Sequence, residues 1–273
     1  MALTTKKRRQ QLKHDKFRDT TMHAFERLSH RYEGRGRTIL YALAGLAALA
    51  ILLFAFGWWR EQRADKARLA LGRAIEIHEA EVTATPQPGA SPTFPTERER
   101  AQKAVEEFRK VQQEHGSPYS ELARYFAAAN LLTVERAQGL AELEQLVRSG
   151  DADVAARSKF ALAQAREADN QLDAAAALYQ ELLNDQKKNV SDNTLKLRLA
   201  TVQAKQGKRD EAVNLLFQMV EAARKQQKPD GTPQAESQLI RAAADKLQEL
   251  SPERYAQLPP DPAAAGAPGF PRP

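Results

Sequence analysis

Five histidines, His14, His23, His30, His78 and His115, are the ring nitrogens this chain offers to a metal ion or a proton relay, and no cysteine joins them. A protein zinc site needs three or four such ligands at close spacing. These histidines stand singly and form no HExxH pair. A nucleophile elbow would need GxSxG, and a phosphate cradle GxxxxGK[ST]; neither occurs, and the 13 glycines are scattered. We therefore expect no catalytic, cofactor-binding or metal-ligating residues. Charged runs such as Glu106, Glu107, Arg109 and Lys110 are expected to form a solvated helix face. The remaining concentration of chemistry is Lys6-Lys7-Arg8-Arg9, a cluster suited to anionic lipid, to a cytoplasmic protein or to nucleic acid. On a chain with a membrane segment, lipid is the favoured partner and nucleic acid is not expected. Phe17, Thr21, Ala24, Phe25, Leu28 and Tyr32 keep helical spacing, as in a basic amphipathic helix lying on a leaflet.

Such groups must be positioned, and the first element to do so is the run Thr38 to Trp59, TILYALAGLAALAILLFAFGWW. It contains no charge in a chain that is 28% charged. At about 1.5 Å rise per residue it spans roughly 33 Å as a helix, enough for a hydrocarbon core of about 30 Å. A buried core helix is seldom apolar all round at this length. A cleaved signal peptide would have a shorter apolar region and a small-x-small site. Here the run ends in Trp58, Trp59 and Arg60, which suit a headgroup interface, so these three are the expected membrane anchors. Residues 1–37 hold eleven Lys or Arg and four acids, a surplus of seven positive charges. The whole chain carries +6, so everything beyond the arm sums to −1. The positive-inside rule places the 1–37 arm in the cytoplasm and the rest across the membrane.

Beyond the span, residues 60–82 keep helical composition, with Leu69, Ala70, Arg73, Ala74, Ile77 and Ala80 recurring at three and four, which predicts a stalk helix. Residues 83–96, TATPQPGASPTFPT, carry four prolines and read as a linker. Residues 97–258 are rich in Ala, Leu, Glu, Gln, Lys and Arg and contain no strand-like alternation, so they are expected to be helical. The Pro/Ala-rich tail 259–273 has the composition of a disordered segment. The expected fold class is all-α: a single N-terminal transmembrane helix followed by an α-solenoid.

The solenoid follows from spacing. AVEEF from Ala104 reappears as AELEQL from Ala141, AAALY from Ala175 and AVNLL from Ala212. Phe126 to Ala129 match Phe160 to Ala163 at a shift of 34, and Leu199-Ala200 follows Leu162-Ala163 by 37. A helical period near 34–37 residues means stacked helix pairs. The alanines let two helices approach closely. The large residue four later, Phe108, Tyr179 or Leu216, fills the groove against the next helix. Asn170 and Gly207 fall where a helix must end. The pattern resembles the tetratricopeptide repeat, without the tryptophan of its first helix. The resemblance implies that the first helix of each pair lines a binding groove. Counted from Ala129, Ala163 and Ala200, that groove would display Asn130, Gln164, Glu167, Thr201 and Lys205.

The layout as a whole is similar to the YfgM-type family of single-span tetratricopeptide proteins. The features that carry this are the basic arm, a span ending Gly57-Trp58-Trp59, the helix opening EQRADKAR, and SPYSELARYFAAANLL followed by two degenerate repeats. The resemblance implies an ancillary subunit of the bacterial Sec translocon in the inner membrane, its N-terminus cytoplasmic and its repeats periplasmic. It also implies protein partners: translocon subunits, membrane-anchored chaperones or secreted clients, with no cofactor. The competing expectation from the same repeats is a scaffold that anchors another envelope assembly. The proline-rich linker, the long arm and the tail from Pro259 depart from the family pattern.

Overall fold

A computed structural model of the chain describes residues 36–84, 92–226 and 235–261, with side chains from Tyr41 onward. The basic cluster, His14, His23, His30, the amphipathic stretch Phe17–Tyr32, the middle of the proline-rich linker and most of the tail lie outside the described residues. The chain divides into two compact units, Met1–Asp65 and Lys66–Pro273. In the first, the described residues belong to α1 (Gly36–His78), a helix of 43 residues that continues into the second unit. Its apolar side chains Tyr41, Leu46, Ile51, Phe54, Phe56 and Trp58 are exposed to their surroundings on every side. Among the described residues it is the one helix long and apolar enough to cross a membrane. Near the end of this segment, Arg63 lies over the Trp59 ring at 3.8 Å, and Trp59 in turn sits 6.1 Å from Phe56.

The second unit is built from the end of α1 and nine further helices among the described residues. They are α2 (Glu97–Glu114), α3 (Tyr119–Val134), α4 (Arg136–Leu146), α5 (Ala152–Ala168), α6 (Leu172–Asn184), α7 (Asp192–Lys205), α8 (Arg209–Arg224), α9 (Gln238–Leu250) and α10 (Pro252–Tyr255). From α2 onward, each helix packs on the next. Local signals set many of the ends. Thr96, Asp151, Ser191 and Ser237 cap α2, α5, α7 and α9 by accepting backbone N–H groups. Asn170 and Gly207 adopt positive φ, 57° and 80°, after α5 and α7, and the residues following them donate back to the Arg166 and Gln203 carbonyls.

The first pair is larger than its sequence suggests. The end of α1, through Leu71 and Ala74, buries itself with Ala104, Phe108 and Val111 of α2 and with Ala123 and Ala127 of α3. The expected stalk is therefore, over Lys66–His78, the first helix of a pair whose second helix is α2. The proline-rich stretch 83–96 links the two helices in sequence. It is bracketed by a two-residue parallel ladder, β1 (Glu81–Val82) on β2 (Thr93–Phe94), where the composition suggested no strand. Prolines remove donors, but Thr83 still gives its N–H to the Phe94 carbonyl at 2.9 Å.

Two buried positions repeat along the second helices of four pairs. Ala104, Gly139, Ala175 and Ala212 are the small residues at the crossings, and four residues later Phe108, Leu143, Tyr179 and Leu216 are fully buried. In α4 the small residue is Gly139, not Ala141, which is exposed. A Cβ on Gly139 would stand 2.7 Å from the Leu132 nitrogen, because a single residue, Glu135, joins α3 to α4 and the helices start in contact. The first helices carry their own repeat. Ala123, Ala127, Ala128 and Asn130 of α3 correspond in burial to Ser158, Leu162, Ala163 and Ala165 of α5, and these to Leu195, Leu199, Ala200 and Val202 of α7. The α3 to α5 shift is thus 35, one more than the Phe-Ala match suggested.

The array closes with α9, whose buried face Ile240, Ala243, Ala244 and Leu247 packs on α8, and with α10, whose Tyr255 packs against the same core. An ion pair fastens this end. Arg224, at the end of α8, donates to Glu236 at 2.6 Å with both side chains about 95% buried, and also to the Pro259 carbonyl at 2.7 Å. Burial works against the Arg224 charge, but its hydrogen bonds to Glu236 and Tyr255 outweigh this and hold its pKa above the ordinary value.

Candidate functional site

The first helices α3, α5 and α7 present one face at a common register. Tyr125, Phe160 and Leu197 occupy equivalent positions on it and are half-buried, each leaning on the core beneath its own pair. Four residues further along lie Ala129, Gln164 and Thr201, all partly exposed. Those side chains make a shallow strip of mixed apolar and polar chemistry running from pair to pair.

Each expected groove residue has a definite place. Asn130 is 4% exposed and belongs to the interior. Its Nδ2 donates to the Phe126 carbonyl at 2.8 Å, and its Oδ1 lies 3.0 Å from His78 Nδ1, which must then carry the proton. Phe126 stacks on Phe108 with centroids 5.0 Å apart, and His78 stands edge-on to Phe108 and tilted against Phe126. Asn130 thus ties the end of α1 to α3, and the one-residue register slip explains why it is not on the strip: the equivalent of Gln164 is Ala129. Gln164 and Thr201 are on the strip, with Thr201 donating its hydroxyl to the Leu197 carbonyl at 2.8 Å.

Glu167 and Lys205 are brought together. Lys205 donates to Glu167 Oε1 at 2.9 Å, joining α7 to α5. The other carboxylate oxygen of Glu167 accepts from the Tyr179 hydroxyl at 3.2 Å and lies 3.9 Å from Arg198. Only 9% of the Glu167 side chain is exposed, against 50% for Lys205 and 46% for Arg198. Burial, reinforced by the neighbouring Glu167 charge, pushes the Tyr179 hydroxyl well above its usual range, so it remains a proton donor. Counting from the small residues reaches Tyr179 only as a core residue and does not reach Arg198 at all. Tyr179 has the dual signature of a large core residue with a polar tip, and Arg198 becomes visible only when α5 and α7 are laid side by side. Trp58, Trp59 and Arg60, the expected anchors, sit in the last turns of the apolar part of α1 and are exposed. Among the described residues, no three His, Asp or Glu side chains converge in a metal-holding arrangement.

Stacked helix pairs of this period, with a small residue at each crossing and a large one a turn later, make the described part of the chain an all-α protein with a tetratricopeptide-type helical repeat region. Such arrays act through their surfaces, as protein-interaction modules. A family model for the tetratricopeptide repeat matches residues 194–230, which contain nearly all of α7 and the whole of α8. No curated protein matches the chain.

Proposed function

We propose that this protein is a membrane-anchored interaction module whose repeats work on the extracytoplasmic side of a bacterial inner membrane, beside the Sec translocon, where they assist secreted polypeptides. The observation that carries this reading is the union, in one chain, of an apolar helix exposed on every side and a helical repeat array with a shallow polypeptide-sized strip. The charge imbalance across the span supports the orientation: seven surplus positive charges precede it and a near-neutral sum follows. The binding strip comprises Gln164, Glu167, Thr201 and Lys205 together with Arg198, while Asn130 serves the interior. A strip this shallow suits weak, exchangeable association with extended segments.

Two measurements test it. Protease added to the cytoplasmic side of sealed membranes should leave a C-terminally tagged repeat region intact, and its digestion there refutes the orientation. Crosslinking in membranes from positions beside Gln164 and Thr201 should capture translocon components or emerging polypeptides. Capture of a single unrelated envelope complex, with no translocon component, replaces this reading with a scaffold for that assembly.

A further inference from the structure

The cluster around Glu167 is unevenly balanced. Two cations, Arg198 and Lys205, converge on one carboxylate, and both are about half exposed while the carboxylate is nearly buried. Lys205 makes a direct hydrogen bond to it. Arg198 stands 3.9 Å away, too far for one, and its guanidinium makes no hydrogen bond among the described residues. A guanidinium presents donors in a fork that a carboxylate fills from two sides, so Arg198 offers binding capacity its partner leaves unused. Beside it lie the half-buried Leu197 and Phe160, whose apolar surface would flank an incoming backbone.

We infer that Arg198 and Lys205 form an anion subsite on the α5–α7 strip, which Glu167 occupies in the free chain and which an aspartate or glutamate side chain of an extended polypeptide takes over on binding. The inference rests on the reading of this strip as the polypeptide-binding face. Glu167 can yield Lys205 without becoming a bare buried charge, because the Tyr179 hydroxyl continues to donate to it. Release of Lys205 also breaks the α5–α7 bridge, so occupation of the subsite loosens the link between adjacent pairs. The partner chemistry is an acidic side chain within an apolar extended segment, and charge complementarity selects it over neutral or basic segments.

The test uses the full chain in nanodiscs, with empty nanodiscs as reference, and two fluorescein-labelled peptides of alternating leucine and serine. One carries two central aspartates and the other asparagines in their place. The aspartate peptide should bind more tightly. Arg198→Gln and Lys205→Gln should each weaken it about threefold and leave the asparagine peptide unchanged. Glu167→Gln, which keeps an acceptor for Tyr179 and frees both cations, should tighten the aspartate peptide by a similar factor. Equal binding of the two peptides, or weaker binding after Glu167→Gln with helicity intact, overturns the subsite but leaves the strip as a binding face. Absence of binding by either peptide refutes both the strip and the subsite.

Discussion

Replacing Gly139 by alanine probes how tightly the second helix pair closes. A Cβ there meets the Leu132 nitrogen at 2.7 Å, the Leu131 carbonyl carbon at 2.9 Å and the Ala128 oxygen at 3.0 Å. All three are backbone atoms of α3, so no side chain can swing aside, and α3 and α4 must separate by several tenths of an ångström. Overpacking of this kind costs about 1–3 kcal/mol, and the helical preference of alanine over glycine returns at most about 1 kcal/mol. The contact with backbone places the variant toward the upper part of that range, a net loss of about 2 kcal/mol. For a unit of this size that lowers the melting midpoint by about 4–8 °C, measured by far-ultraviolet circular dichroism of the full chain in detergent. Gly72→Ala is the matched control. Gly72 is also helical, but a Cβ on it meets nothing within 4 Å, so the midpoint should hold or rise. A Gly139→Ala protein that melts as high as the wild type, or a Gly72→Ala protein that falls with it, refutes the close approach of α3 and α4.

Phe108→Ala removes a fully buried ring that stacks on Phe126, and should cost about 3–5 kcal/mol in urea unfolding, with the loss concentrated in the first pair. Glu236→Ala leaves Arg224 buried without its carboxylate. It should cost about 3–5 kcal/mol by the same measurement, whereas the double change Arg224→Met with Glu236→Leu should be close to neutral. Hydrogen bonds from Lys103 and Lys110 lower the Glu106 pKa to about 2, so a carboxylate titration followed by nuclear magnetic resonance should place its midpoint there. Because that pKa is depressed on folding, the stabilisation from these pairs is present above the unfolded carboxylate's pKa. It is lost as pH falls from there through about 2, and Lys103→Met should return the midpoint toward ordinary values.

Composition and period were enough to anticipate an all-α repeat array, because alanine-rich helices with a buried large residue every 35 to 37 positions have few other ways to pack. Positive φ at Asn170 and Gly207 was equally visible, since these residue types tolerate that backbone and fall at the ends of the apolar periods. The second pair was harder. Ala141 and Ala129 look like the repeat's small residues, but alanine is so common here that identity cannot set the register. Burial moves the crossing two residues, to Gly139, and the first-helix match one residue, to Ala128, and the second of these slips moves Asn130 from the strip to the interior. The stalk was misleading for a different reason. Its periodicity is that of any amphipathic helix, and only the proline-rich insertion hides that its partner is α2. The Glu167 cluster and the Arg224–Glu236 pair join residues 12 to 38 positions apart through tertiary packing, which no local pattern encodes.

The helices of the repeat region pack almost entirely on their nearest neighbours in sequence, each pair sharing a core with the next. A load applied along such a chain is not resisted by the whole fold at once. It is carried in series, so the weakest interface yields first and the remainder stays folded. If the array is drawn taut between its two ends, extension proceeds one interface at a time. An array held this way lengthens in steps under tension, as a graded spring does, rather than giving way all at once.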